Sequence, residues 1–350
     1  MKQRRRIVVH GLARDPDGRI LLVRGSAGDA VSAGGGVSAG DGGSAGAVGS
    51  ADGGGSADGG GSAGAGAVGS AGGGRSGGGA EPDRWRLPGG RVEHGEAPGD
   101  AIVRGFRDET GLDIRMLTLR DVTTDLVPRP GPGIVMHTDR VIYEVEAVGG
   151  TLRNGGAGVS PPVEWVTPER LGEFPLAPYT ARALGLPVTE RDVPAEAEPD
   201  IDPARRIVQR FAAYGLVTDP AGRLLLCRIA PGYPGAGTWH LPGGGTDFGE
   251  QATDGLLREL AEEANQTGRV TALLAVSHFH NPAAMGPEGH AMDWQTVRVL
   301  YRAAVDAPTT PRVTEAAGGS TADAAWFHTA ELPRLRLNQF ARLSIGSHLV

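Results

Sequence analysis

The chain has 350 residues, 39% of them hydrophobic, with a net charge of −7 and a single cysteine. That length suits about two domains with real cores, and an acidic balance without a long basic run argues against nucleic acid as a partner. The lone Cys227 excludes an intrachain disulfide, and no apolar run is long enough to cross a bilayer, so a cytoplasmic protein with no membrane partner is expected.

Residues 7–13 read as a strand, Asp15-Pro16-Asp17-Gly18 as a turn and 19–24 as a second strand, together a hairpin. From Gly25 to about residue 82 the chain is almost entirely Gly, Ser, Ala and Asp, with a six-residue repeat. It offers too little apolar surface to offset ordering, and this insertion is expected to be disordered. Next comes a Gly-rich turn, Leu87-Pro88-Gly89-Gly90. It is followed by Glu96, and then by Arg104-Gly105-Phe106-Arg107-Asp108-Glu109 and Gly111-Leu112. Strand candidates at 140–143 and 164–166 and a short helix near 178–184 complete this half. Residues 188–204 are acidic and Pro-rich and read as an extended linker.

The pattern then returns. Residues 211–217, the turn Asp219-Pro220-Ala221-Gly222 and residues 223–228 repeat the first strands; Cys227 in the second of them reads as a buried small hydrophobe. Leu241-Pro242-Gly243-Gly244-Gly245, Glu250 and Arg258-Glu259-Leu260-Ala261-Glu262-Glu263 repeat the turn and helix. An internal duplication follows, with domains expected at 1–187 and 205–350, and it allows an intrachain pseudo-dimer. Each copy, with strands on either side of an amphipathic helix, reads as an α+β or α/β sandwich.

On a helix, Glu259, Glu262 and Glu263 stand at i, i+3 and i+4 and share one face. Ala252, Leu256, Leu257, Leu260 and Ala264 gather on another side that can pack on a sheet. Three adjacent carboxylates repel one another. Alone they would read as a solvated acidic face, but a hard cation such as Mg²⁺ or Mn²⁺ would also suit an all-oxygen set. The glycines Gly243 and Gly244 either admit a close approach of metal and phosphate or only form the tight entry to the helix.

The spacing from Gly244 through Glu250 and Arg258-Glu259 to Glu262-Glu263 closely resembles the signature of the Nudix hydrolases. Two positions depart from it: Asn265 stands where the family has Gly, and Gln266 where it has an apolar residue. Asn is the next-best residue for a left-handed helix end. The resemblance implies two αβα sandwiches with mixed sheets and Glu259, Glu262 and Glu263 as metal ligands, one of them or a loop acid acting as general base. The reaction implied is Mg²⁺-dependent hydrolysis of a nucleoside diphosphate linked to another moiety, by metal-activated water attack on phosphorus. Arg258 is expected to hold Glu250 or the loop. Residues 278–294 are where specificity is sought, with Glu288 or Asp293 as an additional acid and Trp294 able to stack a base or sugar. His278 and His280 resemble a metal pair but read as plain strand-end histidines.

In the first copy Glu96, Arg104 and Glu109 keep the frame, Asp108 replaces a Glu, and Gly105 stands where the family has Glu. This site is expected to be weakened or inactive, and restoring Gly105→Glu with Asp108→Glu is expected to raise its metal affinity. The competing readings are a nucleotide-binding regulatory protein with little turnover and a Nudix-type isomerase.

Overall fold

The computed structural model describes residues 2–25, 84–128, 134–153, 162–188, 198–199, 207–285, 291–314 and 319–349. The expected disordered insertion and most of the expected linker lie outside them.

In the first half β1 (Lys2–Ala13) and β2 (Ile20–Arg24) precede β3 (Trp85–Arg86), β4 (Gly89–Arg91) and α1 (Pro98–Thr110). The long strands β5 (Leu112–Pro128) and β6 (Ile134–Gly150) follow, then β7 (Val163–Val166) and α2 (Pro178–Ala183). β1 pairs in parallel with β6 and antiparallel with β4, and β6 pairs antiparallel with β5. A smaller sheet has the order β3-β2-β7. A two-residue strand β8 (Glu198–Pro199) pairs with the start of β1.

The second half repeats this plan with β9 (Ile207–Thr218), β10 (Leu224–Ile229), β11 (Trp239–His240), β12 (Gly243–Gly245) and α3 (Ala252–Ala264). It closes with β13 (Arg269–Met285), β14 (Ala291–Ala304), β15 (Thr321–Phe327) and α4 (Gln339–His348). β14 lies parallel to β9 and antiparallel to β13, as β6 lies to β1 and β5. The sheets are therefore mixed. α1 and α3 cover one face and α2 and α4 the other, which gives the α+β sandwich in both halves.

The expected hairpins are only turns. Gly18 N–H donates to Asp15 O at 2.9 Å and Gly222 N–H to Asp219 O at 2.9 Å, with Arg19 and Arg223 gripping the same aspartates. Beyond them a single pair joins the strands, Arg14 with Ile20 and Thr218 with Leu224. β1 and β9 are already claimed by their parallel partners, so β2 and β10 turn away to pair with β7 and β15.

Helix α3 buries Ala252, Leu256, Leu260 and Ala264. Leu256 and Leu260 are fully enclosed, each contributing about 1.5–3 kcal/mol relative to exposure. The helix ends at Asn265 in the left-handed region, φ 53°. Gln266 is buried, and its side chain exchanges hydrogen bonds with Thr309, Nε2 donating to Oγ1 at 2.8 Å and Oε1 accepting from N–H at 3.0 Å. Both departures from the family spacing are thereby satisfied locally.

The strands β2 and β3 meet where the first half is interrupted: Gly25 N–H donates to Arg84 O at 2.8 Å. In the second half Ile229 N–H donates to Thr238 O at 3.0 Å, closing a short loop at the same place.

Contacts also run between the halves. Arg5 Nη1 donates to Thr246 O at 2.6 Å and Gln209 Nε2 to Val92 O at 3.1 Å. Gln251 does not cap α3; it exchanges two hydrogen bonds with the backbone of Thr124, at 2.9 and 2.8 Å.

Candidate active site

The site is built where β12 enters α3. Gly243 has φ 130°, and a Cβ there would stand 2.2 Å from Ala213 O, so only glycine fits this approach to β9. Its N–H donates to Glu263 Oε2 at 2.9 Å, while Thr321 Oγ1 donates to Glu263 Oε1. Glu263 is 1% exposed, with Cys227 beside it. Burial pushes its carboxyl up to about 8, against the hydrogen bonds from Thr321 and Gly243. Burial likewise drives the Cys227 thiol well up, so it packs as a neutral group.

The three acids are therefore not equivalent. The Glu259 side chain is 14% exposed and Glu262 43%. Burial raises the Glu259 carboxyl, opposed by Arg258. A Cβ on Gly244 would come within 2.5 Å of Glu259 Oε1, so the missing side chain is what leaves this carboxylate its place. The shared face expected from helical spacing exists, but it is graded from an open acid to a sealed one.

Arg258 organises the rest. Nε donates to Glu250 Oε1 at 2.9 Å, Nη2 to Glu250 Oε2 at 3.2 Å and to Gly245 O at 2.9 Å, and Nη1 to Glu259 at 3.2 Å and Glu262 at 3.0 Å. Burial would raise the Glu250 carboxyl, yet Arg258 and the Asp247 N–H hold it below its ordinary value. Glu250 in turn raises Arg258 further above its usual range.

The first copy retains the framework. Arg104 grips Glu96 twice at 2.8 Å and donates to Arg91 O at 2.8 Å. Glu109 accepts from Gly89 N–H at 3.0 Å, and Arg86 pairs with it at 2.6 Å. Asp108 stands 3.8 Å from Arg104. At Gly105, however, a Cβ would lie 2.8 Å from Gly89 C and Gly90 N. The loop backbone occupies the volume that a side chain would need. This corrects the expectation that Gly105→Glu would restore a metal ligand, because the space itself is gone.

Asp293 is not brought to the α3 acids. His94 Nε2 lies 2.9 Å and His280 Nε2 2.7 Å from its Oδ1, and His94 foremost holds its carboxyl below the ordinary value. Glu288 lies outside the described residues. Trp294 Nε1 donates to Thr296 Oγ1 at 2.6 Å, and Arg210 lies 5.9 Å from the ring centroid.

Sequence reasoning missed two cations here. Arg210 on β9 flanks Gly245 so closely that a Cβ there would meet its guanidinium. Arg298 on β14 lies between the rings of Phe279 and Phe340, 4.8 and 5.0 Å from their centroids. Among the described residues neither forms an ion pair. Arg140, the first-half equivalent of Arg298, pairs with Asp125 at 2.5 Å, whereas the position matching Asp125 is Phe279. Aligning the two copies would have exposed that loss.

The family model described as NUDIX domain matches residues 74–185 and 208–345. An uncharacterized Nudix hydrolase YvcI of Bacillus subtilis is 29% identical over 100 residues, 29% of this chain and 61% of that protein. A MutT-like protein of Streptomyces ambofaciens is 29% identical over 105 residues, 30% of this chain and 62% of that protein. The chain thus spans less than two thirds of either relative. Among solved structures, a MutT NUDIX hydrolase from Burkholderia pseudomallei is 26% identical, covering 40% of this chain and 98% of that one with a TM-score of 0.31. The NUDIX domain of Shewanella oneidensis NrtR complexed with ADP ribose is 20% identical, covering 42% and 90%, with a TM-score of 0.31.

Proposed function

The chain belongs to the Nudix family, and from that membership we propose that its second half is a divalent-metal-dependent pyrophosphohydrolase that cleaves a nucleoside diphosphate linked to another moiety. The observation that carries this reading is the graded acid set of α3, held against a glycine strand by Arg258, with Arg210 beside Gly245.

The donor chemistry fits a hard cation. Glu262 offers an exposed carboxylate, the half-buried Glu259 has its Oε1 on Arg258 and its Oε2 without a hydrogen bond among the described residues, and the absent Cβ of Gly244 leaves the cradle clear. Glu259, Glu262 and Glu263 are the proposed ligands of Mg²⁺ or Mn²⁺. When bound, the ion neutralises diphosphate oxygens and makes water acidic enough to attack phosphorus. Arg258 positions Glu250, Glu259 and the Gly245 carbonyl. Glu263 accepts from Gly243 N–H, which ties the helix to the loop.

Arg298 and Ser277 are paired residues on adjacent strands, as are Thr296 and Phe279, so these side chains share one face of the sheet. Arg210, Trp294, Phe279 and Arg298 there combine cations with aromatic rings, which suits a phosphorylated nucleoside. No helix of the described residues is long and apolar enough to cross a membrane. We assign the domains to 1–187 and 205–350 with a linker at 188–204, and the reciprocal Arg5–Thr246 and Gln209–Val92 contacts support packing as an intrachain pseudo-dimer. A cytoplasmic location is consistent with the single buried thiol.

The test is hydrolysis of a panel with Mg²⁺: nucleotide sugars, ADP-ribose, oxidised nucleotides and dinucleoside polyphosphates. Turnover that survives Glu259→Gln combined with Glu262→Gln would refute the assignment. A second reading, a regulatory protein in which the first half binds nucleotide without turnover, is favoured by the backbone that fills the Gly105 site. Calorimetric binding to the intact chain with no hydrolysis would support it.

A further inference from the structure

Outside the acid site, one cluster has the composition of a different kind of metal centre. His94 comes from the loop before α1, His280 from β13 and Asp293 from β14, so the two halves of the chain meet there. One ligand atom from each lies within 4.8 Å of the others. The His94 and His280 rings stand edge to face, 5.4 Å between centroids. Both ring nitrogens of His94 are shielded from solvent and make no hydrogen bond of proper geometry, although Nε2 is 2.9 Å from Asp293. A shielded imidazole whose Nδ1 has no partner and whose Nε2 only abuts a carboxylate is costly unless something else uses a ring lone pair.

The cluster is held in place from behind. Gln295 is fully buried; its Oε1 accepts from Gly95 N–H at 3.0 Å and its Nε2 donates to Glu96 O at 2.8 Å. The loop carrying His94 is thus fixed by a residue two positions from Asp293. Gln295 Nε2 also lies 3.2 Å from His278 Nε2, which places His278 behind the cluster rather than in it.

The chain contains its own control. The matching contact in the other direction uses Phe248, packed on His137 at 5.4 Å, and Leu126, which lies 3.2 Å from a Cβ built on Gly249. Gly249 and Gly95 share the same left-handed φ, 86° and 82°. His280 pairs with Gln295 as Leu126 pairs with His137. Val135, the counterpart of Asp293, pairs with β1 as Asp293 pairs with β9. The fold closes this seam once with Phe, Leu and Val. It does not need two histidines and an aspartate to close it again.

We propose that His94, His280 and Asp293 form a binding site for a borderline d-block cation of the Zn²⁺ type, which bridges the two halves of the chain. Two imidazoles and one carboxylate favour such an ion over Mg²⁺, which prefers oxygen. With bonds of about 2.0–2.1 Å, tetrahedral ligand atoms stand roughly 3.3 Å apart, so both imidazoles would back away slightly from Asp293 and adjust to each other within the 4.8 Å that spans the cluster. Solvent supplies the remaining position.

The test uses the full chain, stripped with a chelator and then kept in excess Mg²⁺ so that the α3 acids are occupied. Co²⁺ is added as a spectroscopic probe and Zn²⁺ as the stabilising ion. Expected are visible d–d bands that saturate at one Co²⁺ per chain, and a thermal midpoint raised by about 5 °C with Zn²⁺ at one hundred times its Kd. His94→Phe and His280→Leu copy the apolar seam, so they preserve folding; each is expected to abolish both effects, as is Asp293→Asn. Glu262→Gln is expected to keep them. No Co²⁺ bands in the wild-type chain, or bands that persist in all three seam variants, would overturn the site.

Discussion

The guanidinium of Arg258 grips Glu250 through Nε at 2.9 Å and Nη2 at 3.2 Å, and Arg104 grips Glu96 in the same two-pronged way in the half whose acid set is incomplete. A pair that survives in the copy with an incomplete acid set holds architecture, and its catalytic value comes only through what it positions. Lysine cannot reproduce the planar fork. Arg258→Lys is expected to lower kcat by about 10–100-fold with little change in KM. Arg104→Lys is expected to leave turnover unchanged, and steady-state kinetics on both variants separates these roles.

Glu263→Gln tests the sealed acid. Glutamine keeps an acceptor for Gly243 N–H, so folding survives. Loss of the carboxylate is expected to cut activity by about 100-fold or more, with a urea midpoint close to wild type. A variant that unfolds while its residual activity per folded molecule is normal would make Glu263 purely structural.

Gly105→Glu is expected to fail as a repair. The new Cβ meets loop backbone at 2.8 Å, which cannot yield as a flexible side chain could, and overpacking of this kind costs about 1–3 kcal/mol. Unfolding at equilibrium should show the loss, and calorimetry with Mn²⁺ should show no new site in the first half.

Two buried histidines give the stability a defined dependence on pH. Burial, and then Arg140, drives His10 well below the usual imidazole range, and burial lowers His240 to about 4. Both are neutral when folded, while the unfolded chain binds their protons near 6.5. Their contribution is therefore complete above about 6.5 and is lost as pH falls from there towards 4, up to about 3 kcal/mol for His240. Urea unfolding at pH 7 and pH 4.5 should show this slope, and His240→Gln should reduce it, leaving the part due to His10.

Much of this was legible in sequence because the fold is written twice. Asn265 could be read as a left-handed helix end from its chemistry alone, and φ 53° agrees. The inequality of Glu259, Glu262 and Glu263 was not legible, since helical spacing sets direction but not depth, and depth depends on how closely β12 lies against β9. The hairpin expectation failed for a related reason: turn chemistry at Asp15 and Asp219 is local, whereas the partners of β2 and β10 are remote in the chain. Arg298 escaped notice because its significance is a missing partner, visible only when Phe279 is set beside Asp125. The seam of His94 with Asp293 joins residues about two hundred positions apart, and no local rule could pair them.

The hydrogen bond from Gly25 to Arg84 has a consequence for how this gene can change. The chain leaves and re-enters the first half at one point, and the strands on either side are already paired. Closure entropy grows only with the logarithm of length, about 0.6 kcal/mol per doubling. The span from a short loop to the present stretch is roughly three doublings, or about 1.7 kcal/mol. Repeat slippage in the coding sequence can therefore lengthen or shorten this stretch almost freely, and a chain carrying the 230–237 loop in place of 26–83 should unfold at the same midpoint or slightly above it.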